Sequence, residues 1–227
     1  MSWQILDLGR LAYPLAFEQQ RELNRAVSLG EAPSTLLLVE HEPVITLSHR
    51  RDIRDHLLAT PAELERLGID VQETDRGGDI TYHGPGQLVA YPILRLGDYG
   101  LNLGRYMRVL EQSVIATIGR FGVDGQTEAG ATGVWVATDQ NAAEPTTAKI
   151  CAMGVRIRKN TTMHGLALNV STDLAHFQTI DPCGLGGRPV TSLQQRLGAG
   201  CPSMDQVKQE LQRQLIKHVA SGGADRS

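Results

Sequence analysis

The sequence predicts an α+β fold: a mixed β-sheet flanked by α-helices. Three observations point to it. Apolar runs of strand length and long amphipathic segments succeed one another without a regular βαβ rhythm. Two helix starts carry capping boxes, Thr60-Pro61-Ala62-Glu63 and Ser203-Met204-Asp205-Gln206. A glycine-rich turn, Gly84-Pro85-Gly86, separates two short apolar runs.

Taken in order, Pro14–Ser28 is expected as a helix, with Gly30 just past its end. Thr35–Ser48 is strand material, interrupted by Pro43. A short helix opens at Thr60 and stops at Gly68. Ile80–Tyr82 and Leu88–Leu94 read as two strands around the glycine turn. In Asn102–Phe121, residues Leu103, Tyr106, Met107, Leu110, Val114, Ile115, Ile118 and Phe121 recur at three- and four-residue spacing, which predicts the longest helix. Strands follow at Gly133–Ala137, Lys149–Arg158 and Gly165–Val170, with a polar loop over Thr138–Thr147. The last helix runs from the Ser203 box to about Val219. No repeat or linker divides the chain, so residues 1–220 are expected as one domain and 221–227 as a flexible C-terminal tail.

Composition narrows the function classes. A net charge of -3 argues against a general nucleic-acid binder, which carries a broad basic excess. No apolar run is long enough to span a bilayer, and the N-terminus lacks the pattern of a signal peptide. The expectation is a cytoplasmic protein that uses no membrane. Cys151, Cys183 and Cys201 form no C-x-x-C pair and are odd in number, so neither a zinc knuckle nor a disulfide framework is indicated. Nothing calls for a metal or an organic cofactor.

Chemistry concentrates at three places. Cys183 stands in Asp181-Pro182-Cys183-Gly184, a tight-turn context that can expose a sulfur, and a thiol readily takes over an acyl group from another thioester. Lys149 opens the apolar run Lys149–Arg158; it either reaches out to solvent or is held beside an anion such as a thiolate. The block Arg76–Gln87 carries Gly77-Gly78, which permits close backbone approach, and His83 on a turn. This is either a plain β-hairpin with a surface histidine or a ligand-binding one flanked by Arg76 and Asp79. Alternation in Gly165–Val170 places Gly165, Ala167 and Asn169 on one face, leaving either room for a slender apolar guest or a site of close packing. Cys151 reads as a small buried hydrophobe and Cys201 as incidental.

Together these blocks resemble the octanoyltransferases of lipoate biosynthesis, which share a catalytic fold with the biotin and lipoate protein ligases. The resemblance rests on Glu40-His41-Glu42-Pro43-Val44, Arg76–Leu88, Lys149–Arg158, Met163–Val170 and Asp181–Gly184, and spans roughly Leu6 to Leu197. It implies a ping-pong transfer of octanoyl from octanoyl-acyl carrier protein to Cys183 and then to a lysine of a lipoyl domain. The acceptors would be those of 2-oxoacid dehydrogenases and the glycine cleavage H protein. It implies that Cys183 and Lys149 are catalytic, with Lys149 lowering the thiol pKa. Arg76, Gly77, Gly78, Asp79, Ile80, Thr81, Tyr82, His83, Ala152, Met153, Gly154, Gly165, Leu166 and Ala167 would bind the acyl group. His164 and Asn169 would give further support. Lys149, His83 or His164 could accept the proton of the incoming lysine.

The chain departs from the family pattern at Ser48, where glycine is common, in the long Thr138–Thr147 loop, and at Cys151, which sets a second thiol near the expected site. The rival readings are an ATP-dependent ligase of the same fold, an amidotransferase between lipoyl carriers, a non-catalytic carrier-binding module and a cysteine hydrolase. Arg156, Arg158 and Lys159, or Arg50, Arg51 and Arg54, would offer an acidic carrier a basic docking patch. A monomer is expected.

Overall fold

The computed structural model describes residues 2–138, 146–181 and 188–222. Its N-terminal strand β1 (Trp3–Leu11) runs parallel to β2 (Ser34–His41), and α1 (Tyr13–Leu29) makes the crossover between them. Pro14 starts α1 and Gly30, at φ 76°, ends it in the left-handed conformation that suits glycine. The chain then divides. Pro43 separates β2 from β3 (Val44–Leu47), and β3 belongs to a second sheet with β4 (Asp70–Glu73) and β5 (Thr81–His83), in the order β4-β3-β5.

The larger sheet is completed by β6 (Gln87–Ile93), β7 (Gly125–Glu128), β8 (Ala131–Ala137), β9 (Thr147–Arg158) and β10 (Thr161–Asn169), in the order β1-β2-β6-β10-β9-β8-β7. One face is covered by α3 (Leu103–Gly119) and α4 (Met204–Ala220). The three- and four-residue spacing of α3 turns Tyr106, Leu110, Val114 and Ile118 inward, each fully buried, and Asn102 caps its start by accepting the Arg105 N–H at 2.9 Å. Full burial of an aliphatic side chain of this size contributes ~1.5–3 kcal/mol, so these positions outweigh the cap, worth about 1 kcal/mol. The other face packs against α1 through Leu23 and Val27. The short α2 (Pro61–Leu67) closes the smaller sheet, with both halves of its capping box formed.

Two expectations are corrected. The runs on either side of Gly84-Pro85-Gly86 are strands, but they are not a hairpin: β5 pairs with β3, whereas β6 pairs with β2 and β10. The turn carries the chain from one sheet to the other. His83 is accordingly buried, not on the surface. Strands β1, β4 and β7, which the sequence reading did not assign, are edge strands whose residues are half-buried or exposed, so they lack an apolar run. Strand β10 also starts four residues before the expected Gly165 and is buried along its whole length, so no alternation marks its beginning.

Candidate active site

A cleft of about 490 Å³ opens where the two sheets meet, within the range of small-molecule sites. Its lip is the Arg76–Asp79 segment, pinned against β9. The Gly77 N–H donates to the Val155 carbonyl at 2.9 Å, and a Cβ on Gly154 would lie 2.5 Å from the Gly77 oxygen. Only glycine at 154 admits so close an approach. The Arg76 guanidinium donates to the Thr46 carbonyl at 2.8 Å and to its hydroxyl at 2.9 Å, tying the lip to β3 as well. Asp79 is buried. Its carboxylate accepts the Ile80 N–H, lies within 3.0 Å of His56 Nδ1, and has the Arg50 guanidinium 3.6 Å away.

Behind the lip stands a cluster of rings, buried except for the half-buried Phe17. Tyr13 stacks on His83 at 6.4 Å, His41 meets His83 edge-on at 5.6 Å, and Phe17 stacks on His164 at 5.4 Å. The hydrogen bonds fix the tautomers. The Leu11 carbonyl can only accept, so His41 Nδ1 carries hydrogen and Nε2 accepts the Tyr91 hydroxyl at 2.7 Å. The Gln87 amide nitrogen donates to the Tyr82 carbonyl, so its oxygen accepts from His83 Nδ1 at 2.7 Å, which leaves the lone pair on Nε2. His164 Nε2 donates to Asp75 at 2.8 Å. Burial holds His41 down to about 4 and His83 well below the ordinary histidine value, with the neighbouring His41 adding to the effect on His83. Burial also lowers His164 and outweighs Asp75, which pulls the other way. All three are neutral imidazoles at pH 7. His164 sits at φ 56°, uncommon for a residue with a side chain; its N–H is held by Gln20 Oε1 at 2.8 Å.

Lys149 lies on the opposite side of the cleft, its Nζ 4.6 Å from the centre of the Trp135 ring. Its backbone is gripped by the segment that follows residue 187: the Lys149 N–H donates to Pro189, and the Thr191 N–H donates back to the Lys149 carbonyl, each at 2.9 Å. On the other side of residues 182–187, Leu58 and Ala59 donate to the Thr179 carbonyl and the Asp181 N–H donates to the His56 carbonyl at 2.8 Å. Cys183 itself lies outside the described residues.

Of the expected acyl-binding residues, Arg76, Gly77, Gly78, Asp79, Ile80, Thr81, His83, Ala152, Met153, Gly154, Gly165, Leu166 and Ala167 line this one cleft, together with Lys149 and His164. Two do not. Tyr82 turns into the core of the smaller sheet, against Phe177, where its hydroxyl meets His176 Nδ1 at 2.8 Å. Asn169 is a buried brace: it accepts from Gln87 and donates to the Thr191 carbonyl, linking β6 to the segment that grips Lys149. At Gly165 the chain packs closely, but against a neighbouring strand and not a helix: a Cβ there would stand 2.2 Å from the Ala90 carbonyl oxygen of β6. Cys151 is fully buried in the main core, where burial pushes its thiol far up, so it offers the cleft no thiolate. The sequence reading missed Tyr13, Tyr91, Trp135 and Arg188, all in the cleft wall. Tyr91 and Trp135 read as core in their strands, Tyr13 opens α1, and only the fold brings them together with Arg188.

Comparison with known proteins adds the lineage. Residues 12–216 match the lipoyl protein ligase A/B catalytic domain. An octanoyltransferase of Chloroflexus aurantiacus is 48% identical over 92% of this chain and 90% of its own length. Octanoyltransferases of Geobacter metallireducens (44%, covering 88% and 86%) and Flavobacterium johnsoniae (42%, covering 95% and 94%) are similar too. Among solved structures, lipoate-protein ligase A bound with ATP superposes with a TM-score of 0.70 at 17% identity, over 96% of this chain and 85% of that one. A biotin protein ligase from Aquifex aeolicus gives 0.55 at 11%, over 98% and 71%. At such identities these structures establish the shared fold alone.

Proposed function

Because this chain belongs to the octanoyltransferases of the lipoyl protein ligase A/B catalytic-domain family, and is therefore an acyltransferase, we propose that it moves octanoyl from octanoyl-acyl carrier protein to a lysine of a lipoyl domain through a thioester on Cys183. The observation that carries this reading is Lys149. Its amine stands in the wall of an acyl-sized cleft, and its backbone is bonded to Pro189 and Thr191, six and eight residues after the cysteine.

The chemistry proceeds in two displacements. The Cys183 thiolate attacks the thioester carbonyl; the carrier's sulfur leaves as thiolate and takes up a proton. The ε-amine of the lipoyl-domain lysine then attacks the acyl-cysteine, forms the amide, loses a proton and expels the Cys183 thiolate. An ordinary thiol, with a pKa of about 8.5, is only a few per cent ionised near neutrality. An ammonium within about 4 Å favours the thiolate by roughly 1–4 kcal/mol, enough to make it a substantial species. Lys149, His83 and His164 are the candidates to accept that proton; His83 keeps a lone pair on Nε2 because its Nδ1–H is committed to Gln87, but burial makes it a weak base. Burying about six methylenes of the acyl chain contributes ~5 kcal/mol to binding.

The test is transfer without nucleotide. With octanoyl-acyl carrier protein and a lipoyl domain alone, the domain gains one octanoyl group. Transfer that required ATP and persisted in Cys183→Ser would instead assign the chain to the ligase chemistry.

A further inference from the structure

One end of the cleft is closed by the main sheet. Strand β9 parts from β8 beyond the Val134–Cys151 pair, so its edge at Ala152–Gly154 faces the cleft. Behind that edge a row of directly opposed residues crosses the sheet. Ala152 pairs with Ala167 on β10, Ala167 with Val89 on β6, and Val89 with Val39 on β2. Directly opposed residues share a face of the sheet, so these four side chains stand side by side. The first two are methyl groups, and the neighbouring pair, Gly154 and Gly165, adds no side chain. The row therefore begins as a shallow trough and rises at Val89. Ala152, Ala167 and Val89 line the cleft, whereas Val39 lies beyond it, fully buried.

That end is fixed as well as closed. Val89 packs in the apolar cluster that also holds Leu37, Val39 and Tyr91. Tyr91, two residues along β6 and so on the same face, is anchored by its hydroxyl, which donates to His41 Nε2 at 2.7 Å. On the other face of the sheet the cleft reaches Leu103 of α3, which is 50% exposed. An end open to solvent cannot measure a chain; a closed one can. Two strand spacings separate the β9 edge from β6, about 9.5 Å, close to the extended length of an eight-carbon acyl chain.

We propose that Val89 is the chain-length stop of the acyl site: the acyl chain crosses the methyl floor of Ala152 and Ala167 and ends against the Val89 isopropyl group. The inference rests on the transfer reading given above and deepens it by naming the residue that selects eight carbons. Val89→Ala removes the stop and opens the row to Val39, one strand spacing or about 4.8 Å further on, enough for two more carbons. Val89→Leu extends the stop and shortens the trough. A single methylene in a hydrophobic pocket changes discrimination about 10–200-fold, so each variant moves the preferred length rather than abolishing transfer.

The experiment offers equimolar hexanoyl-, octanoyl- and decanoyl-acyl carrier protein to wild type, Val89→Ala and Val89→Leu, each checked for folding by thermal melt. The readout is the mass of the modified lipoyl domain. Wild type is expected to give mainly the octanoyl product. In Val89→Ala the decanoyl-to-octanoyl ratio is expected to rise about tenfold, and in Val89→Leu the hexanoyl-to-octanoyl ratio by a similar factor. Ala152→Val, at the half-buried β9 edge, shortens the same row from its open end and is expected to shift the products as Val89→Leu does. A folded Val89 variant that keeps the wild-type ratios overturns the inference, and Ala152→Val decides in the same way if the Val89 variants fail to fold. A wild type that transfers all three lengths equally overturns it too, while transfer itself stands. A wild type that transfers none of them overturns the transfer reading, and this inference with it.

Discussion

Replacing Gly154 by alanine separates the positioning of the cleft from the stability of the fold. The new methyl would stand 2.5 Å from the Gly77 oxygen, roughly 1 Å inside van der Waals contact. Gly77 is backbone and cannot rotate away, so the Arg76–Asp79 lip must lift and the Gly77 N–H to Val155 bond is lost. That bond is worth about 0.5–1.5 kcal/mol net, a fall of a few degrees in Tm for a chain of this size. Displacing a substrate-holding group by about 1 Å can cost 10²-fold in rate. The expected result is a loss of about 10–100-fold in kcat/KM for octanoyl transfer with a melting temperature nearly intact. Gly165→Ala is the counter-experiment. Its methyl would meet the Ala90 oxygen at 2.2 Å inside the central sheet, an overpacking that costs about 1–3 kcal/mol. There, melting temperature should fall first and activity with it. A Gly154→Ala enzyme that kept its full rate, or lost rate only in step with stability as Gly165→Ala does, would refute the reasoning.

Further expectations concern charge and the other thiols. His41 binds a proton in the unfolded chain near pH 6.5 but in the folded one only near 4. Its contribution is fully present above 6.5 and is lost as pH falls to about 4, amounting to ~3 kcal/mol, so His41→Gln should flatten the stability curve across that window in denaturant titrations. Cys151→Ala should leave the acyl adduct intact, and in the folded protein Cys201 should alkylate well before the buried Cys151. Charge reversal at Arg156 and Arg158, both exposed on β9, should lower kcat/KM and weaken its salt dependence if they guide the acidic carrier; unchanged values would remove that patch from the docking surface.

The helices and capping boxes were legible because their signals are local: the spacing in α3 and the Thr60 and Ser203 boxes need no knowledge of the rest of the chain. The glycine turn at Gly84-Pro85-Gly86 was equally plain as a turn. Which partners its two strands would take was not, since turn chemistry says nothing of sheet membership and the answer lies in β3 and β10. The same limit governs the site. The glycines of the lip and of β9 are visible one at a time, but their mutual contact is a tertiary fact. Whether His83 lay on the surface or at a ligand stayed open because its covers, Tyr13 and His41, arrive from distant parts of the chain. Trp135 reads as core in any strand; that its ring lies beside Lys149 depends on a register shift that only the pairing with β9 reveals.

The most direct test of covalent transfer is the intact mass of the protein after incubation with octanoyl-acyl carrier protein, wild type against Cys183→Ala. Wild type should gain one octanoyl group, the variant none, and a lipoyl domain should discharge the adduct without ATP. Octanoyl reaching the lipoyl domain from the Cys183→Ala enzyme at the wild-type rate would contradict a thioester on that cysteine.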